Sequence, residues 1–234
     1  MNLILSPAGD NSLHSEWIQG KPNFDLVLLY YGDNLEKAGS YLKDTPHVYA
    51  SKGFKWWLIK AFIEDNLEWF SQYEYIWFPD DDLKITTEDI NKLFETAKQY
   101  DLYICQPSLL GYASHQITVP QEDSLLRYTN FVEVMAPLMN LKTALQLKET
   151  FDVNYSSWGL DSIWPYLLGN PTDKVAIIDS IKMVHTKPVG NPELYSRLPH
   201  SIHFDTLCFV PKSLLYLYVF LVLNTLKIIE YQYL

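Results

Sequence analysis

Residues 25–31, Asp-Leu-Val-Leu-Leu-Tyr-Tyr, are apolar without interruption after the first position and stop at Gly32-Asp33. An apolar run that does not alternate suits a strand covered on both faces, the usual condition of strands in sheets flanked by helices. Shorter runs of the same kind recur between helical patterns. Leu3-Ile4-Leu5 reads as a first strand entering the turn cluster Ser6-Pro-Ala-Gly-Asp10. Ser51 is placed to cap a helix expected to reach Phe70, with Trp57, Ala61, Ile63, Leu67 and Phe70 as its buried stripe. Tyr75-Ile-Trp-Phe78 is a short strand that ends at Pro79 and three aspartates. Thr86-Thr-Glu-Asp89 is a capping box before Ile90, Leu93, Phe94 and Ala97 at helical spacing. Further strands are expected at 102–105, 131–134, 175–178 and 181–184, with loop-rich stretches at 107–129 and 186–205. The alternation predicts a single α/β domain with a mostly parallel central sheet flanked by helices.

Charge then narrows the function classes. Lys and Arg total 18 against 28 Asp and Glu, a formal net charge of -10, and Arg127 and Arg197 are the only arginines. A nucleic-acid partner needs a basic face to neutralise phosphates, so none is expected. The 2 cysteines, Cys105 and Cys208, lie in apolar runs and offer neither a disulfide framework nor a zinc quartet. The N-terminal residues Met-Asn-Leu-Ile-Leu-Ser-Pro carry no basic region, so no secretory signal is expected and a cytoplasmic location is. The segment 207–234 differs in composition, and its run 214–223 is wholly apolar. That run is shorter than the ~20 residues that span a bilayer. It is compatible with a packed terminal element, with a peripheral membrane or partner contact, or with a marginal span.

The sharpest chemical feature is Asp80-Asp81-Asp82, just past a predicted strand. Adjacent carboxylates repel, so their clustering calls for a cation, for solvent, or for raised pKa values. Hard oxygen ligands suit Mg or Mn, above all where the ion also meets phosphate oxygens. In open α/β sheets ligands bind beyond the carboxyl ends of strands, where this run is expected. A solvated acidic turn is the plainer alternative. An EF-hand is excluded, since Ile85 stands where that loop needs glycine. In Ser156-Ser-Trp-Gly-Leu-Asp161, an aromatic, a glycine and an acid precede a helix, so Asp161 is either a base in a cleft or a carboxylate favouring a helix start. His185 ends an apolar run and becomes a candidate metal ligand if the aspartates form a site. Lys187 and the Gly53-Phe-Lys55 turn are cations that phosphate could meet. No Walker loop, Gly-x-Gly-x-x-Gly or Gly-x-Ser-x-Gly occurs in the chain.

The order of these features resembles glycosyltransferases of the GT-A type. More closely, the chain is similar to the domain of unknown function 707 family. The segments that carry the resemblance are Ala8-Gly-Asp-Asn-Ser-Leu-His14, Tyr30-Tyr-Gly-Asp33, Tyr75-Ile-Trp-Phe-Pro-Asp-Asp-Asp82 and Gln106-Pro-Ser108. They continue with Ile117-Thr118, the stretch from Arg127 to Pro137, Trp158-Gly-Leu-Asp161, and Ile178-Asp179 leading to His185-Thr-Lys-Pro188. The resemblance implies a GT-A-like domain over 1–206 that uses Mn2+ or Mg2+ to move a sugar from a nucleotide-sugar donor to a glycan or other hydroxyl acceptor. It implies Asp80, Asp82 and His185 as metal ligands, with Asp80 and Asp81 also on the donor. Ser6, Gly9, Asp10, Asp33 and Lys55 are expected to line the nucleotide side. Asp161 is expected as the base of an inverting displacement, although the motif here has one acid where many such enzymes have two. A nucleotidyltransferase and a non-catalytic carbohydrate-binding module on the same fold are the alternatives.

Overall fold

The computed structural model describes residues 1–188. The expected boundary at 206, the apolar segment 207–234 and Cys208 lie outside them. The chain begins with β1 (Asn2–Ala8), a short helix α1 (His14–Trp17), β2 (Asp25–Tyr30), α2 (Leu35–Tyr41), β3 (His47–Ala50), α3 (Lys55–Asp65) and α4 (Leu67–Phe70). It continues with β4 (Tyr75–Trp77), β5 (Leu83–Lys84), α5 (Thr87–Gln99), β6 (Ile104–Gly111), β7 (Arg127–Tyr128), β8 (Leu138–Asn140), α6 (Leu141–Leu147), α7 (Leu160–Leu167) and β9 (Val175–His185). Among the described residues these strands form one mixed sheet in the order β3-β2-β1-β4-β8-β6-β9-β5, with β7 also paired to β9.

Parallel pairing holds through β3-β2-β1-β4 and again between β6 and β9. Strand β8 runs antiparallel to both neighbours, and β5 and β7 run antiparallel to β9. The architecture is therefore α/β with a mixed sheet. The reversal at β8 has a direct consequence for the site. Trp77 at the end of β4 lies opposite Leu138 at the start of β8, so residues 131–137 arrive at the same end of the sheet as the three aspartates.

The β2 run is buried as its lack of alternation predicts. The capping box holds as well: Thr86 Oγ1 accepts from Asp89 N at 3.1 Å, and Ile90, Leu93, Phe94 and Ala97 face the core. Three local expectations are corrected. Ser51 caps no helix, because β3 reaches Ala50 and Ser51 N still bonds to Tyr30 O. The helix begins at Lys55 and breaks at Asn66, so its buried stripe is Trp56, Ile59, Phe62 and Ile63, while Trp57, Ala61 and Leu67 face outward. Residues 131–134 form no strand; pairing starts only at Leu138, although Val132 and Ala136 are buried. Trp56 meets Phe151 at 4.5 Å and Trp164 at 5.0 Å between ring centroids, and this aromatic cluster fixes α3 against α7. No helix among the described residues is long and apolar enough to cross a membrane.

The 112–128 excursion is held by one ion pair. Arg127 Nε donates to Asp179 Oδ2 at 2.8 Å, and its Nη2 donates to Asp179 Oδ1 and to the carbonyls of Ile117 and Val119. Gln121 N donates to Asp179 Oδ1 at 2.9 Å. Burial works against the charged form of Asp179, but these donors outweigh it and hold its pKa below the ordinary value. Arg127→Met leaves that carboxylate buried without its counter-ion. It is expected to cost about 3 kcal/mol in urea denaturation at neutral pH. Because the folded pKa is depressed, the wild-type advantage is present above the ordinary carboxylate value and lost as pH falls through the lowered one. The two stability curves should therefore converge below about pH 4. A difference that stays constant through that range would contradict the assignment.

Candidate functional site

Tyr75, Ile76 and Trp77 are fully committed to the sheet core, so the chain leaves β4 in a fixed direction and delivers Pro79 and the three aspartates to its carboxyl end. Their backbone is tied on three sides. Asp80 N donates to Met135 O, Leu13 N donates to Asp81 O, and Thr186 donates through N and Oγ1 to Asp82 O. The side chains then part company.

Asp80 faces Lys55, the first residue of α3. Lys55 Nζ donates to Asp80 Oδ1 at 2.6 Å, to Met135 O at 2.7 Å and to Val134 O at 3.0 Å. The Lys55 side chain is 14% exposed. An ammonium has three N–H donors, and here all three are used. Desolvation lowers the Lys55 pKa and raises that of Asp80, and the pair's mutual attraction opposes both shifts. Lys55, expected to meet phosphate, is occupied instead in holding Asp80 and the 134–135 backbone.

Asp81 is buried and turns to the end of β1. Its Oδ2 accepts from Gly9 N at 2.6 Å, with the Tyr31 hydroxyl at 3.4 Å. Burial, with some help from Asp82 and Asp80 and against the Gly9 N–H and Lys187, pushes its pKa up to about 6. A Cβ on Gly9 would lie 2.9 Å from the Tyr31 hydroxyl, so glycine is what lets that ring close over the loop. The Tyr41 hydroxyl donates to Gly9 O at 2.7 Å. Asp10 bonds to the Tyr30 hydroxyl, and Asp33 is exposed and paired with Lys52 at 2.7 Å. Ser6 departs from expectation: β1 runs on to Ala8, so Ser6 is buried within it and donates to Pro79 O at 2.9 Å. It braces the end of β4 and lines no opening.

Asp82 meets His185 at the end of β9. His185 Nδ1–H donates to Tyr112 O at 2.9 Å, which directs Nε2 to Asp82 Oδ1, 3.5 Å away. That oxygen is buried and has no hydrogen bond. Lys187 Nζ is 3.7 Å from the other oxygen. Desolvation opposes charge on both groups, but attraction prevails, lowering the Asp82 pKa and raising that of His185. A carboxylate oxygen without a hydrogen bond, facing an imidazole nitrogen oriented by a backbone carbonyl, fits a divalent cation. No group of three or more His, Cys, Asp or Glu among the described residues is arranged around one point to hold a metal. Asp82 and His185 are brought together, and Asp80 is held by Lys55.

Asp161 stands in the first turn of α7, after Gly159 in the left-handed conformation at φ 92°. It is buried, and its Oδ1 accepts from Ser162 N at 2.8 Å. Trp158 beside it is 56% exposed. Trp57, also exposed, donates its indole N–H to Asn154 O, and Asn154 Nδ2 donates to Trp158 O. Sequence reasoning missed Glu133, which is buried with Oε1 3.4 Å from His115 Nδ1 and Oε2 without a hydrogen bond. Burial raises its pKa, His115 opposes the shift, and the charge of Asp161 adds to it. The available signal was a lone acid among the apolar residues 131–137; read as a strand, that stretch gave no reason to bury it.

With this geometry in place, three comparisons bear on the chain. Residues 18–129 match a family model described as "Protein of unknown function (DUF707)". The match includes β2, the three aspartates and Arg127, and ends before Asp161 and His185. No curated protein matches in sequence. Among solved structures, S. aureus TarS 1-349 in complex with UDP-GlcNAc superposes with a TM-score of 0.56 at 14% identity, over 81% of this chain and 59% of that one. The same protein in complex with UDP gives 0.55 at 14% identity, over 83% and 62%. The chain thus spans about three-fifths of the TarS chain it resembles, and what it shares at this identity is the fold.

The Asp82–His185 pair depends on the close approach of β6 to β9. Gly111 has φ +80°, and a Cβ there would lie 2.4 Å from His185 O. Gly111→Ala is therefore expected to destabilise the protein by about 1–3 kcal/mol. It should also shift the His185 imidazole resonances, measured by NMR, while those of His14 stay in place. Unmoved His185 signals would reject the coupling.

Proposed function

We propose that this chain is a glycosyltransferase of the GT-A type, a domain over 1–206 that takes a nucleotide-sugar donor beside Asp80–Asp82 and passes the sugar to a hydroxyl acceptor on the Asp161 side. The observation that carries the reading is the Asp82–His185 pair at the carboxyl end of β4, on a fold whose counterpart TarS has been solved with UDP-GlcNAc. In this reading Asp82 and His185 hold Mn2+ or Mg2+, with phosphate oxygens and water completing the shell. The ion would supply positive charge against the diphosphate as it leaves.

The chain's own residues do the rest. Gly9 and Tyr31 form the wall on the β1 side, where Asp81 holds the loop rather than the ligand. The exposed rings of Trp158 and Trp57 offer faces for an acceptor sugar to stack on. Asp161 receives the proton of the attacking hydroxyl, and the new bond forms opposite the departing diphosphate, giving inversion.

Two substitutions separate the donor and acceptor roles. Asp82→Asn should abolish the Mn2+-dependent part of UDP-sugar binding in calorimetry in a protein that still unfolds cooperatively. Asp161→Asn should leave donor affinity within about twofold but lower transfer by roughly 10²–10⁴-fold, the usual contribution of a positioned base. Donor affinity in Mn2+ that is indifferent to Asp82→Asn, or a product that keeps the donor's anomeric configuration, would overturn the corresponding half of the proposal.

A further inference from the structure

The acidic run carries its own counter-ion. Lys55 reaches Asp80 from α3 and spends its two remaining N–H donors on the carbonyls of Val134 and Met135. It cannot turn to another ligand without abandoning one of these bonds, and an ammonium left buried without its anion is strongly unfavourable. The ammonium also lies 5.3 Å from the centroid of the Trp56 ring, which is itself buried. On the other side of the run, Asp82 Oδ1 has no hydrogen bond and faces His185 Nε2. The two ends of one acidic run are thus in different states: Asp80 is hydrogen-bonded through Oδ1 to an ammonium fixed by two carbonyls, whereas Asp82 is paired only at longer range, with His185 at 3.5 Å and Lys187 at 3.7 Å.

We infer that Lys55 is a built-in cation that withholds Asp80 from metal binding, so that an added divalent ion is left with Asp82 and His185. Lys55 is a positioning residue in this arrangement: it acts on the ion by deciding which carboxylate can reach it. The inference rests on reading the run as a cation site and adds to that reading the identity of the ligands. It differs from the expectation that Asp80 and Asp82 share one ion, and it assigns Lys55 a role other than binding phosphate.

The test uses the full chain and Mn2+ alone, with free Mn2+ read by electron paramagnetic resonance and no nucleotide present. Lys55→Met should raise Mn2+ affinity by about tenfold or more, because a second carboxylate becomes available and ligand charge sets affinity at such sites. Lys55→Met with Asp80→Asn removes the pair as a neutral unit and should return affinity to within about threefold of wild type. Both variants lose the same bonds to Val134 and Met135, so any loosening of that segment is common to them and their difference reports Asp80. In the wild type, the 15N resonance of the Lys55 ammonium should persist when Mg2+ is added to saturation, a measurement that needs no variant.

The inference falls if Lys55→Met gains no affinity, if the double variant binds Mn2+ as poorly as Asp82→Asn, or if the Lys55 resonance is lost with Mg2+. The donor reading is judged separately. A wild type that binds no UDP-sugar, alongside a Lys55→Met variant with a new Asp80-dependent Mn2+ site, would retain this inference and discard the donor.

Discussion

Three consecutive carboxylates repel one another by several kT unless each finds its own partner, and the structure is arranged around that separation. Asp80 takes Lys55 of α3, Asp81 takes the backbone of Gly9 after β1, and Asp82 takes His185 and Lys187 at and beyond the end of β9. Segments distant in sequence are drawn to one point by this division. The backbone of the run repeats the pattern through Met135, Leu13 and Thr186. Charge repulsion that would otherwise oppose folding becomes the means by which β1, α3, β9 and the segment before β8 are placed relative to one another.

Sheet topology explains why those segments are available there. Parallel strands deliver their carboxyl ends to one edge, so the loops after β1, β2 and β4 already share it. Strand β8 runs the other way, so the segment preceding it, with Glu133, Val134 and Met135, comes to the same edge. A sheet parallel throughout would have put that segment at the opposite end. Lys55 would then have no carbonyls to bind and Asp80 N no acceptor. The antiparallel strand is thus a condition of the site's geometry.

What could be read from the sequence follows from the range of the forces involved. Local signals were sound: the Thr86 cap, the apolar run of β2 and the strand leading into the aspartates all depend on neighbours within a few residues. The reversal at β8 was not legible, since strand direction is fixed by the path of the whole chain. Ser6 was misplaced because a Ser-Pro pair reads as a turn, whereas β1 continues through it under the protection of Pro79 O. The stripe on α3 was misassigned because Ser51 looked like a cap, and moving the helix start to Lys55 exchanges Trp57 for Trp56 in the core. Lys55 and Glu133 share a deeper reason. Their roles are set by tertiary partners 25 and 79 or 80 residues away for Lys55, and by burial in a stretch without regular structure for Glu133.

The same partners set the local charge around the acidic run. The formal charge of -10 describes the whole molecule, but screening over a Debye length of about 8 Å makes the local balance decisive. At the acidic run, Lys55 offsets Asp80, and Lys187 with a His185 whose pKa is raised offsets Asp82. Asp81, whose pKa burial pushes up to about 6, is still mostly ionised at neutral pH. The run that looks most hostile to phosphate in the sequence thus has cations of the chain beside two of its three carboxylates in the fold. Its one buried oxygen without a hydrogen bond is Asp82 Oδ1, which faces His185 Nε2. On the proposed reading, a divalent ion held there would add the positive charge that an anionic donor requires.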